Sequence, residues 1–104
     1  VFREFLHVDD LANAVLLLMN NYDGSEIVNI GSGEDLSIRE LVNTIKDIVG
    51  YDGTIVWNNS KPNGTPRKLL NIDILKNIGW SPLISLPNGI MDTLLWCKDH
   101  KVFD

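Results

Sequence analysis

Residues 11–19, Leu-Ala-Asn-Ala-Val-Leu-Leu-Leu-Met, are apolar at every position except Asn13. Asp9 and Asp10 stand just ahead of them. Either carboxylate suits a helix N-cap, which predicts a helix running to about Met19. Such a helix has no polar stripe to give to water, so it must be covered on more than one side. The chain has 104 residues, 44% hydrophobic and 22% charged, which suits one globular domain of ordinary size. One small domain does not readily surround a helix. A further layer outside these residues is expected, and the start at Val1 rather than Met fits a piece of something longer.

The other elements follow from local patterns. Phe2 to Val8 is expected as an extended entry segment. Ile27, Val28 and Ile30 predict a short buried strand, closed by a tight turn at Gly31-Ser32-Gly33. That turn lacks the third glycine of a dinucleotide fingerprint, and no lysine follows it as in a phosphate loop. Ser37 and Glu40 make a capping box, with Leu36 and Leu41 at the staple positions. Ile38, Leu41, Val42, Ile45, Ile48 and Val49 then give one apolar helical face, and Gly50 provides its left-handed end. Thr54 to Trp57 is expected as a strand. Asp73 is expected to cap a short helix that ends at Ile78 and Gly79, with Trp80 packing back on it. Ser85 caps a last helix with Pro87 in its first turn; Leu86, Ile90, Leu94 and Cys97 share a face.

Composition excludes several functions. A sequence pI near 4.8 is that of neither a nucleic-acid binder nor a polybasic membrane surface. No apolar run reaches the length of a membrane span. Cys97 is the only cysteine, so no intrachain disulfide forms; a reducing cytoplasm is the expected compartment. His7 and His100 belong to no ligand-spaced cluster, so no metal site is expected. Asp9 and Asp10 point different ways on a helix and make no catalytic pair. Neither a nucleophile elbow nor a base for Cys97 is present. No catalytic residue is assigned.

One stretch carries chemistry. Residues 58–70, Asn-Asn-Ser-Lys-Pro-Asn-Gly-Thr-Pro-Arg-Lys-Leu-Leu, hold Lys61, Arg67 and Lys68 and no acid, in a chain of net charge -5. Gly64 permits close approach of backbone, while Pro62 and Pro66 restrict the loop. Cationic groups on a stiffened loop suit a phosphate; a solvated surface loop is the plainer alternative.

The segment Arg3-Glu4-Phe5-Leu6-His7-Val8-Asp9-Asp10-Leu11-Ala12 resembles the extended short-chain dehydrogenase/reductases that act on nucleotide sugars. Asn29-Ile30-Gly31-Ser32-Gly33 with Ser37-Ile38-Arg39-Glu40-Leu41 is similar to the next block of those enzymes. Ser60 to Leu70, with Leu75, Gly79-Trp80 and the last helix, resembles the GDP-L-fucose synthase branch, whose members are NADP-dependent epimerase/reductases of GDP-4-keto-6-deoxy-mannose. The resemblance covers essentially the whole chain.

It implies an α/β fold, α+β in this piece alone, with about four helices and two to three short strands over residues 1–104 as a single substrate-binding portion. The N-terminal dinucleotide-binding domain, with its glycine fingerprint and Tyr-x-x-x-Lys pair, is expected to lie outside these residues. Substrate-binding roles are implied for Arg3, at the diphosphate, for Lys68, near the nucleotide, and for Asn63, which stands where the family has Asp. Lys61 and Arg67 fit the motif without an assigned contact, and His7 is structural. The resemblance further implies NADP(H) in the intact enzyme but none on this segment, a GDP-sugar as substrate, the protein's own Rossmann domain as partner, and a homodimer. Rivals are another nucleotide-sugar epimerase or dehydratase, and a free-standing binding module.

Overall fold

The computed structural model describes residues 1–102. In chain order the elements are β1 (Phe2–Glu4), α1 (Val8–Asn21), β2 (Asp35–Ser37), α2 (Ile38–Val49), α3 (Asp73–Asn77) and α4 (Leu86–Asp99). β1 and β2 pair antiparallel, with Phe2 opposite Ser37, Arg3 opposite Leu36 and Glu4 opposite Asp35. Phe2 also bridges to Arg67, its N–H donating to the Pro66 carbonyl at 2.8 Å. The four helices match the expectation in number, and the two strands lie within it.

Several boundaries differ from the sequence-based expectation. α1 begins at Val8, and its cap is His7, whose Nδ1 accepts from the Asp9 N–H at 3.0 Å. Asp10 does not cap the helix. It is buried, and its carboxylate accepts the N–H groups of Leu83 and Ile84 at 3.1 and 3.0 Å. This ties α1 to the loop before α4. Neither residues 27–30 nor residues 54–57 form a strand. Ile27 and Val56 are almost fully exposed, so the apolar runs there find no pairing edge among the described residues. Asp73 does not cap the short helix α3 but is its first residue; the cap position is Ile72, without a side-chain bond, and Asn71 Oδ1 just ahead of it accepts from the Asp73 N–H at 2.9 Å.

α2 starts and stops as expected, and α4 starts as expected. Ser37 Oγ accepts from the Glu40 N–H at 3.1 Å, and α2 ends on Gly50 with φ 70°. Only that half of the capping box is made among the described hydrogen bonds. Ser85 Oγ accepts from the Asn88 N–H at 3.3 Å to open α4. Ser37→Ala should lower stability by about 1 kcal/mol. Chemical denaturation checks this, with an unchanged midpoint as the contrary result.

The core sits between α1 and α3. Ala14 and Leu75 are fully buried, and Trp80 closes over them after the turn at Gly79, with Leu6, Leu17, Leu18, Val28 and Ile30 around them. The opposite side of α1 is bare: Val8, Leu11, Val15, Leu16 and Met19 are exposed and fall on one face at helical spacing. The accessible surface is 7859 Å², against about 5,900 Å² for a compact monomer of this mass. The radius of gyration is 16.5 Å, against about 13 Å for a chain of this length. The all-round apolar helix of the sequence is therefore a helix with one face packed and one unpartnered.

Candidate functional site

β1 carries Arg3, and the loop of residues 58–70 passes beside it. Arg3 Nη1 donates to the Thr65 carbonyl at 2.7 Å and to the carbonyl of Phe2 at 2.6 Å. Its Nη2 lies close enough to Gly64 that a side chain there would meet it at 2.9 Å. Two of the guanidinium's five N–H donors are thus spent on backbone, and no described hydrogen bond uses Nη2 or Nε. Asn63 is the residue next to that contact. It is exposed, as is Lys68, and among the described residues neither side chain makes a hydrogen bond or ion pair. Of the three residues expected at the substrate, the structure brings Arg3 against the backbone beside Asn63. No described contact joins Lys68 to Arg3.

Arg67 behaves differently from its neighbour. Its guanidinium lies over the Phe2 ring, 4.7 Å from the centroid, and its Nε is 2.9 Å from Asp35 Oδ2. That oxygen is buried and accepts no well-aligned hydrogen bond, so the contact is an ion pair only. Arg67 holds the loop to β1 and β2. The cations left at the surface of the loop are Lys61 and Lys68.

Glu4 was not singled out by the sequence, yet it is the most connected side chain here. Its Oε2 accepts from the Gly33 N–H at 2.6 Å and from Ser32 Oγ at 3.5 Å, and its Oε1 accepts from the Leu70 N–H at 3.3 Å. Gly31 makes room for this, since a side chain there would meet Oε1 at 2.7 Å. The Gly31-Ser32-Gly33 turn is therefore filled by a carboxylate, and a dinucleotide phosphate does not fit it. An available signal was the position of Glu4 beside Arg3 in the resemblance block.

His7 and Asp92 join the start of α1 to α4. His7 Nε2 lies 3.1 Å from Asp92 Oδ2 while its Nδ1 accepts from Asp9. One neutral tautomer, protonated at Nε2, satisfies both contacts. Gly89 permits this approach, because a side chain there would meet the imidazole at 3.1 Å. His7, Asp9 and Asp92 lie within reach of one another, but both imidazole nitrogens are committed, and the cluster serves as a structural clasp.

Residues 1–31 match the model of the NAD dependent epimerase/dehydratase family. The fold is that of a segment of nucleotide-sugar reductases and epimerases. The GDP-mannoheptose C4 reductase of Campylobacter jejuni, solved with NADP bound, superposes with a TM-score of 0.81 at 36% identity, over 94% of this chain and 32% of its own. By sequence the chain matches GDP-L-fucose synthases. It is 50% identical over 100 residues to a probable GDP-L-fucose synthase 1 of Oryza sativa subsp. japonica, covering 96% of this chain and 30% of that protein. It is 45% identical over 108 residues to the GDP-L-fucose synthase of Escherichia coli (strain K12), covering 95% and 34%. The chain spans about a third of the length of the curated relatives it matches.

Proposed function

We propose that this chain is the C-terminal, sugar-nucleotide-binding portion of a GDP-L-fucose synthase, an NADP-dependent 3,5-epimerase/4-reductase of GDP-4-keto-6-deoxy-mannose. The observation that carries this is the Arg3 guanidinium against Gly64 and Thr65, within a stretch half identical to such an enzyme. Arg3 keeps uncommitted donors beside an exposed loop bearing two further cations. A planar fork of N–H groups is suited to a diphosphate, and Lys68 adds a point charge. Asn63 retains the acceptor of the family's Asp without its charge, and its amide also donates.

In this reading the segment binds and orients the nucleotide, and the chemistry belongs to an N-terminal Rossmann domain. NADPH bound there supplies the hydride that reduces the ketone. The bare face of α1 and the excess surface support such a neighbour: apolar side chains at Val8, Leu11, Val15, Leu16 and Met19 require cover. A homodimeric, cytoplasmic enzyme completes the proposal.

The test has two parts. The intact protein, given GDP-4-keto-6-deoxy-mannose, should oxidise NADPH and bind GDP in preference to UDP and dTDP. The 104-residue segment alone should do neither reaction nor NADPH binding. NADPH turnover by the segment would overturn the division of labour, and a preference for UDP or dTDP would place the protein in another branch of nucleotide-sugar enzymes.

A further inference from the structure

We propose that Glu4 is a positioning residue that sets the geometry of the anion site, acting through Arg3 and the loop it faces. This rests on the reading of that site as one for a GDP-sugar.

Glu4 adjoins Arg3 in β1, and its carboxylate gathers donors from two separate segments: the 31–33 turn and Leu70, where the basic loop ends. Arg3 meets the same loop at Thr65, and Phe2 meets it at Pro66. Three consecutive residues of one short strand therefore hold the loop at successive points. Among these ties, that of Glu4 is the only one made by a carboxylate to backbone N–H groups. A carboxylate accepts such bonds at both oxygens, whereas a glutamine amide offers one accepting oxygen and turns donors toward the other partner.

The placement also answers a local difficulty. Glu4 stands opposite Asp35 across the β1–β2 pair, and like charges so placed repel. Each carboxylate has its own counterpart: Arg67 on Asp35, and backbone N–H groups on Glu4. Arg67 and the Leu70 N–H belong to the basic loop, and the Gly33 N–H belongs to the 31–33 turn. The acidic pair keeps the loop in register and leaves Arg3 as the guanidinium with donors to spare. Glu4 touches no substrate atom in this scheme; it fixes where Arg3 and the loop stand relative to each other.

The test is a titration of GDP and of NADPH on the intact enzyme carrying Glu4→Gln, Arg3→Ala and both together. Glu4→Gln should weaken GDP binding about tenfold and leave NADPH within about twofold. In the Arg3→Ala background the same change should cost less than about threefold, because residues acting as one unit are not additive. Gly31→Ala provides a second route, since its new methyl displaces the carboxylate from the other side. It should reproduce the GDP defect in the parent and lose its effect once Glu4 is alanine.

Unchanged GDP affinity in Glu4→Gln overturns the proposal. So does a Glu4→Gln effect of equal size with and without Arg3, or a parallel loss of NADPH binding and thermal stability, which marks a purely structural role. If Arg3→Ala itself leaves GDP affinity intact, the anion-site reading fails first and the positioning role falls with it.

Discussion

Arg3→Ala should weaken GDP-sugar binding by the intact enzyme by about one to two orders of magnitude and hardly alter NADPH affinity. The guanidinium is part-buried, and each charge-assisted contact to a phosphate is worth about 1.5–3 kcal/mol there, of which 1.4 kcal/mol is tenfold in affinity. Paired titrations of GDP and NADPH read the effect. Equal weakening of both ligands would show a general distortion, and intact GDP affinity would refute the phosphate assignment. Lys68→Ala should have a smaller effect, as an exposed point charge on a flexible stem. Compensation by Arg67 is not available to it, because Arg67 is committed to Asp35 and Phe2. Arg67→Ala should accordingly act by loosening the loop, and not by removing a ligand contact.

The second large effect is expected at Asp10. Asp10→Ala removes a carboxylate that is 1% exposed and accepts two backbone N–H groups. Stability should fall by about 3 kcal/mol, since two charge-assisted hydrogen bonds made by a buried carboxylate are lost together. Asp10→Asn, which keeps one accepting oxygen, should lose roughly half as much. Urea denaturation of the intact protein distinguishes the two variants. Equal midpoints for wild type and Asp10→Ala would mean that the 83–84 backbone finds other partners.

What the sequence revealed was what is local. Ser37 and Gly50 bracket α2, and Ser85 with Pro87 opens α4, because caps and fixed φ values act within a few residues. Trp80 was placed correctly by the same logic, packing behind the Gly79 turn. The strands expected at 27–30 and 54–57 failed for the opposite reason. β propensity describes fitness for a pleated, half-buried surface, and those residues have no strand beside them to make one. The true cap of α1 went to His7 because Asp10 is drawn into the fold by distant N–H groups, a competition that no local pattern contains.

The candidate site was legible as a whole only through resemblance. Composition alone marked the basic loop, and nothing in spacing joined it to Arg3. Its architecture depends on Glu4 and Asp35, two acids in a region notable for its cations. Their roles appear only once β1, β2 and the loop are seen together.

The first ten residues reach far along the chain. Arg3 bonds to a residue 62 positions away, Glu4 to one 66 away, Asp10 to one 74 away and His7 to one 85 away. Each tie closes a long loop before any local contact rewards it, and such closures slow folding. During synthesis, β1 leaves the ribosome well before Thr65, Leu70, Ile84 and Asp92 exist to receive it. The pairing of Arg3 and Glu4 with their loop is thus a late event in assembly, possible only once residues 65–70 have been made.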